Sequence, residues 1–287
     1  MRARLPCYLR LCVRVLLISD IHANLEALTA CLDAAPAHDR IANLGDVVGY
    51  GASPNEVTDL ARRIGSVLVR GNHDKACTGL TNLNEFNPVA AAAATWTKDI
   101  LTTENLEWLR ELPRGPLELQ FEAERLPGHE AARGAPRTPA SGPAKKDVPL
   151  LAHGSPLDED QYVVTVQEAL EVLMRSSIRL TFFGHTHLQG GFLLGSDGGH
   201  AFRPAYTARD TAEQVTLQLS GATRFLINPG SIGQPRDGDW RAAFALFDSS
   251  ADAVTFYRLP YDVAGAQQRI RAAGLPARLA TRLSEGR

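Results

Sequence analysis

The sequence predicts an α/β fold, and three observations predict it. Short apolar runs rich in β-branched residues alternate with capped segments whose apolar positions recur every three or four residues. Five of those runs stop at a polar turn holding Asp, Asn or His. At 287 residues and 44% hydrophobic content, the chain can bury one sizeable core without dividing into two domains.

Val13 to Ile18 reads as the first strand, buried on both faces. Asn24 then caps a helix with apolar positions Leu25, Leu28, Cys31 and Leu32. Arg40 to Leu44 is the second strand. Ser53-Pro54-Asn55-Glu56 combines an N-cap serine, proline at the first helical position and a glutamate three residues after the cap, so a helix is expected to Ile64. Val67 to Val69 is the third strand, and helices over Pro88–Ile100 and Thr103–Leu112 precede a strand at Leu117 to Phe121. Periodicity disappears between Glu122 and Asp147, where four prolines stand among Gly, Ala and basic residues; residues 122–147 are expected to be a disordered surface insertion.

Val148 to Ala152 resumes the sheet. Thr165 to Glu168 makes a capping box for a helix ending at Arg175, and Arg179 to Phe183 is another buried strand. Beyond Gly184, short strands near Gly191–Leu194, Ala201–Phe202, Gln214–Gln218, Arg224–Ile227, Arg241–Phe247 and Val254–Arg258 are spaced for antiparallel hairpins. The expected organisation is a basic amino-terminal extension over 1–12, one main domain over 13–260 and a helical appendage over 261–287, broken near Gly274-Leu275-Pro276.

Composition excludes several partners. Thirty basic against 32 acidic side chains leave a formal charge of −2, which gives no electrostatic reason for binding nucleic acid or an anionic membrane. No stretch approaches the roughly 20 apolar residues of a membrane span. Arg10 and Arg14 interrupt the early apolar residues, and Ser19-Asp20 follows where a cleavage site would need small residues, so an unexported protein is expected. The four cysteines show no CxxC spacing and fit reduced thiols in a cytoplasm. A homo-oligomer remains open.

The chemistry lies at the strand ends. Asp20-Ile21-His22 follows the first strand, Gly45-Asp46 the second, Gly71-Asn72-His73-Asp74 the third, His153-Gly154 a later one and Gly184-His185-Thr186-His187 the last buried one. Ligands of open α/β sheets bind beyond the carboxyl ends of the strands, where residues distant in sequence converge. The donor set is oxygen and imidazole nitrogen without sulfur, which suits Mn²⁺, Fe, Co²⁺, Ni²⁺ or Zn²⁺. Seven ligands exceed the needs of one ion and fit two divalent ions that share a carboxylate.

These five blocks, in this order, resemble the calcineurin-like metallophosphoesterases. Ser19 to Asn24 and Asn228-Pro229-Gly230-Ser231 with Pro235-Arg236 resemble their small bacterial and archaeal phosphodiesterase branch. The resemblance implies a four-layer α/β/β/α sandwich with two mixed β-sheets flanked by helices. It implies that Asp20, His22 and His187 hold one ion, that Asn72, His153 and His185 hold the other, and that Asp46 bridges them. Manganese is the expected metal, with hydroxide attack on the phosphorus of a small phosphoester. His73 is then the expected general acid, with Asp74 orienting it or supporting the site from behind. A diester substrate is expected ahead of a monoester.

One departure bears on the substrate. Relatives acting on phosphoproteins or diadenosine tetraphosphate extend the second block to GDxVDRG, whereas Gly49 and Tyr50 stand here where that aspartate and arginine would be. Tyrosine supplies neither the charge nor the fork of a guanidinium. Tyr50, Phe86 and Tyr162 are positioned to line a pocket, and Arg236 is a candidate phosphate contact. Asn228-Pro229-Gly230 is first of all turn chemistry. Trp96 and Trp108 read as helix packing, and His38, His129 and His200 as surface or structural residues. The rival to an enzyme is a binding scaffold on the same fold, as in the retromer subunit that resembles these hydrolases; the complete ligand set and His73 favour turnover.

Overall fold

The computed structural model describes residues 12–65, 67–121, 148–219 and 224–287. The insertion expected over 122–147 with His129, and the amino-terminal extension apart from Cys12, lie outside the described residues.

Strand β1 (Arg14–Ile18) leads to α1 (Leu25–Ala34), where the Asn24 side-chain oxygen accepts the Ala27 N–H as a cap. After β2 (Arg40–Asn43), α2 (Pro54–Ile64) begins at proline as expected, but Ser53 makes no side-chain capping bond. Its φ of −121° and ψ of 53° depart from the extended geometry that turns a capping hydroxyl inward. β3 (Val67–Leu68) runs into α3 (Asn72–Thr78), a seven-residue helix too short for a periodic signal. A single 3₁₀ turn at Leu83–Glu85 precedes α4 (Pro88–Ile100) and α5 (Thr103–Arg110).

Strands β4 (Leu117–Glu118) and β5 (Leu150–Leu151) are shorter than expected. Leu119 N–H still donates to the Pro149 carbonyl at 2.8 Å, but Pro149 has no N–H to return. α6 (Val166–Arg175) forms the expected capping box, Thr165 Oγ1 accepting from Glu168 N–H and the Glu168 carboxylate accepting from Thr165 N–H. There follow β6 (Leu180–Phe182), β7 (Gly190–Gly195), β8 (Gly198–Phe202), β9 (Glu213–Gln218), β10 (Arg224–Asn228), β11 (Ala242–Asp248), β12 (Ala253–Leu259), α7 (Val263–Ala272) and α8 (Ala277–Glu285).

Two mixed six-stranded sheets result, in the orders β3-β2-β1-β11-β12-β9 and β4-β5-β6-β10-β7-β8. β1, β2 and β3 are parallel in the first, and β5, β6 and β10 in the second. Alternation along β1 sets the layers. Val15 and Leu17 face the second sheet and pack with Phe182, Ile227, Phe247 and Phe256, whereas Leu16 and Ile18 face the helices with Leu28, Val57 and Phe244. On the far side of the second sheet, Phe183, Phe192 and Leu226 pack against Val172 and Leu173 of α6. The architecture is therefore the four-layer α/β/β/α sandwich.

Helices α7 and α8 are more than an appendage. Ala266, Ile270, Leu275, Leu279 and Leu283 belong to the same buried cluster as α1, so they complete the helical layer over the first sheet. Trp96 and Trp108 pack against that cluster, as expected of helix contacts. Among the described residues no helix is long and apolar enough to cross a membrane.

Candidate metal centre

The parallel strands β1, β2 and β3 of one sheet and β5 and β6 of the other deliver five loops to one edge. The loops after β1 and β2 stay paired past their strands: Asp20 N–H donates to Gly45 O and His22 N–H to Asp46 O, both at 3.0 Å. In the other sheet, Gly184 N–H donates to His153 O at 2.8 Å. The two sets meet where only glycine fits. A Cβ on Gly184 would lie 2.1 Å from Ser19 Oγ, and one on Gly71 would lie 2.0 Å from Asp46 Oδ1.

Asp20, His22, Asp46, His185 and His187 all have φ between 50° and 66°, in the left-handed region. That conformation costs a non-glycine residue roughly 1–2 kcal/mol. Such strain persists where tertiary contacts over-determine the backbone, as they do at functional sites.

Their side chains converge in two groups, Asp20, His22, Asp46 and His187 in one and Asp46, His153 and His185 in the other, with ligand atoms within 4.8 Å of one another in each group. Asp46 belongs to both. Its Oδ1 accepts the His73 N–H at 2.8 Å, while Oδ2 is buried without a hydrogen-bond partner, 3.6 Å from His22 Nε2 and 3.4 Å from His153 Nε2. Asn72 joins the second group through Oδ1, 3.1 Å from His153 Nε2.

The histidine tautomers follow from the partners, because a carbonyl only accepts. His22 Nδ1 meets Val48 O, His187 Nδ1 meets Gln234 O and His153 Nδ1 meets Leu44 O, so each Nδ1 carries a proton and each Nε2 points inward. His185 is reversed: Nε2 donates to Asp160 O at 3.1 Å and leaves Nδ1 for the site. Between His22 and His187 the two Nε2 atoms face each other at 3.1 Å. Burial, the largest influence on both rings, holds them well below the usual imidazole range and hence neutral. Two opposed lone pairs beside an orphaned carboxylate oxygen are unfavourable until a cation draws on all three. The residues present fit divalent metal ions.

The remaining charges agree. Burial opposes ionisation of Asp46, but His153 and His73 outweigh it and hold the carboxyl well below its ordinary value. Burial would also lower His153, and the Asp46 carboxylate overrides that, holding the imidazole at about 9; burial raises Asp20 to about 7. A metal needs both groups deprotonated, so loading at pH 7 is expected to release about one proton from His153 and a fraction from Asp20. Metal affinity therefore falls as pH drops below about 9, and further below about 7. Calorimetry in two buffers of different ionisation enthalpy measures the release; identical heats would refute it.

Asp74 does not touch the His73 imidazole. Its carboxylate accepts four backbone N–H groups, those of Asp46, Val47, Val48 and Gly71, at 2.9–3.2 Å. It positions the loop that presents Asp46, the supporting one of its two expected roles. Asp74→Asn turns an amide toward two of those donors, and metal affinity is expected to fall about 10–100-fold, measured by chelator competition. Unchanged affinity would mean the loop holds its shape without the carboxylate.

His73 is buried, and its Nδ1 has no partner, because Gly49 closes over it. Burial lowers its pKa to about 4, against the pull of Asp46. Around it stand the expected aromatics: Tyr50 at 4.3 Å between ring centroids and Phe86 edge-on at 5.3 Å. Tyr162 stacks on His185 at 3.7 Å. Arg236 Nη2 lies 3.4 Å from Tyr50 Oη, which brings a guanidinium from the loop after β10 beside position 50.

Several supporting residues had no signal in the sequence for the contacts they make. Asn228 Nδ2 donates to Gly184 O and Thr186 Oγ1 and braces the His185–His187 turn, which gives Asn228-Pro229-Gly230 a structural part. Ser231 Oγ donates to Asp20 O at 2.8 Å, and Lys75 Nζ ties down the Asp160 carboxylate beside His185. Arg282 of α8 reaches the Tyr50 ring, its Cζ 5.6 Å from the centroid. His38 and His200 are exposed, as expected.

Two mixed sheets between helices, with an Asp and His cluster at the strand ends able to hold metal ions, define an α/β protein of the metal-binding class. Residues 13–189 match the model of the calcineurin-like phosphoesterases, and the chain belongs to that family. It is 32% identical to the uncharacterised protein MJ0912 of Methanocaldococcus jannaschii over 95% of this chain and 98% of that one. The crystal structure of a metallophosphoesterase from Sphaerobacter thermophilus superposes with a TM-score of 0.73 at 35% identity, covering 96% of this chain and all of the other. The hypothetical protein PH1004 of Pyrococcus horikoshii shares the fold, with a TM-score of 0.69 at 19% identity over 96% of this chain and 99% of that one. The two relatives of 30% identity or more are archaeal and bacterial proteins, as the resemblance in sequence leads one to expect.

Proposed function

We propose that the protein hydrolyses a phosphodiester with two divalent ions, manganese being the preferred metal. The observation that carries this is Asp46, whose carboxylate belongs to both donor groups and whose Oδ2 is otherwise without a partner. Asp20, His22 and His187 would hold one ion and Asn72, His153 and His185 the other. When bound, the ions supply acidified water and neutralise charge on the phosphoryl oxygens. The protein holds the ligand tautomers, fixes the loops through Asp74, Asn228 and Ser231, and sets Tyr50 and Phe86 beside His73 and Tyr162 against His185. His73 stands beside Asp46 to give a proton to the leaving oxygen.

Support for a diester is the replacement of the GDxVDRG aspartate and arginine by Gly49 and Tyr50, which sets the chain apart from the relatives acting on phosphoproteins. Protein loaded with Mn²⁺ is expected to cleave bis-p-nitrophenyl phosphate faster than p-nitrophenyl phosphate. The reverse ranking sinks the diester preference, and no cleavage of either sinks the hydrolase reading.

A further inference from the structure

Two guanidinium groups converge on one tyrosine ring beside the metal centre. Arg236 Cζ lies 5.8 Å and Arg282 Cζ 5.6 Å from the Tyr50 centroid. Arg236 comes from the loop after β10 and Arg282 from α8, 46 residues later in the chain. Both are half-buried, and among the described residues neither forms an ion pair with an Asp or Glu side chain. The nearby acids are committed elsewhere: Asp237 pairs with Arg258, Asp239 with Arg241 and Glu285 with Arg278. Arg236 Nε is buried with no hydrogen-bond partner, while its Nη2 reaches Tyr50 Oη and Gln234 Oε1, at 3.4 and 3.2 Å, and the Tyr162 hydroxyl also lies within reach of the guanidinium. Arg282 Nε donates to the Arg287 carbonyl.

Like charges held near one ring, with Arg236 Nε buried and unmet, call for an anion. Burial, and then the neighbouring Arg236, hold the Arg282 guanidinium below its ordinary value, against the smaller pull of Tyr50 and Glu285. The position of the pair says which anion. Tyr50 packs against His22 and His73 at 4.7 and 4.3 Å, so Arg282 stands on an aromatic ring that itself touches the metal-centre histidines. Arg236 spans the gap, its backbone N–H donating to His187 O at 3.3 Å and its side chain reaching Tyr50. A phosphoryl group at the ligands would lie a ring's width short of Arg282.

We propose that Arg236 and Arg282 form an anion clamp for a second phosphate of the substrate, one that is not cleaved. The proposal rests on phosphoester hydrolysis at the metal centre and narrows its substrate to a phosphoester bearing a further phosphate. The guanidinium fork suits this group, since two parallel N–H donors match two phosphate oxygens.

Two substrates that differ only in the second phosphate test it: thymidine 5′-p-nitrophenyl phosphate with and without a 3′-phosphate. In Mn²⁺-loaded protein, Arg282→Gln is expected to raise KM for the 3′-phosphorylated compound at least about tenfold more than KM for the other, as loss of a charge-assisted bond implies. Arg282→Lys should recover part of the difference. Equal changes for the two compounds overturn the clamp. A second measurement is independent of turnover: in metal-free protein, inorganic phosphate should raise the melting temperature, and both Arg236→Gln and Arg282→Gln should weaken that effect. No effect of phosphate on the unsubstituted protein, or an undiminished effect in both variants, also overturns it. If neither thymidine compound is hydrolysed, the hydrolase reading fails, and the phosphate titration still decides the clamp.

Discussion

Replacing Asp46 with alanine is expected to strip both metal ions and abolish hydrolysis while leaving a folded protein. Asp46 alone belongs to both donor groups, so no other single substitution removes a ligand from each. Losing a partner one bond beyond a ligand already costs metal affinity about 10–100-fold, so the loss of the shared carboxylate should exceed about 10²-fold. The fold has reason to survive. The one protein hydrogen bond of the Asp46 carboxylate that disappears, from His73 N–H to Oδ1, is worth about 0.5–1.5 kcal/mol against a typical stability of 5–15. His153 no longer has the carboxylate that holds it at about 9, so burial is free to make it neutral and no uncompensated charge is stranded. Elemental analysis and circular dichroism on the same sample decide the matter; two retained ions would reject the shared-ligand assignment.

The clustered donor residues were legible because a buried strand leaves a plain mark, an apolar run cut off by a polar turn, and five such marks carried donors. Their order added the fold's two sheets through resemblance. What stayed hidden depends on distance in sequence. The left-handed backbones of His22, His185 and His187 are held by contacts such as Asn228 with Gly184, formed 44 residues apart. Asp74 reads in sequence as a neighbour of His73, yet on α3 its carboxylate turns back to the loop after β2, because Gly71 lets that loop approach. Arg282 looked like any arginine of an amphipathic terminal helix. Only the packing of Leu279 and Leu283 into the layer containing α1 brings it over Tyr50. Local signals succeeded where the partner is local, as at Asn24 and Thr165, and failed at Ser53, whose backbone is pulled into the site by an N–H donated to Ala23 O.

For His73→Ala, hydrolysis is expected to fall about 10²–10⁴-fold with both metal ions retained. Retention follows from geometry: the side chain belongs to neither donor group, and the contact it makes with Asp46 is through its backbone N–H, which alanine keeps. The imidazole has Tyr50 and Phe86 on its sides and Gly49 over Nδ1, so Nε2 is the atom left to meet substrate. Buried at about 4, the free ring is neutral at pH 7, and a bound phosphate anion must raise it before it can donate. A general acid matters most where the leaving oxygen is most basic. The loss should therefore be near its upper limit for an alkyl ester and much smaller for a p-nitrophenyl ester of the same phosphate. A merely structural histidine would depress both equally. Comparing kcat for the two leaving groups, with metal content verified, separates these roles, and equal losses would remove His73 from proton transfer.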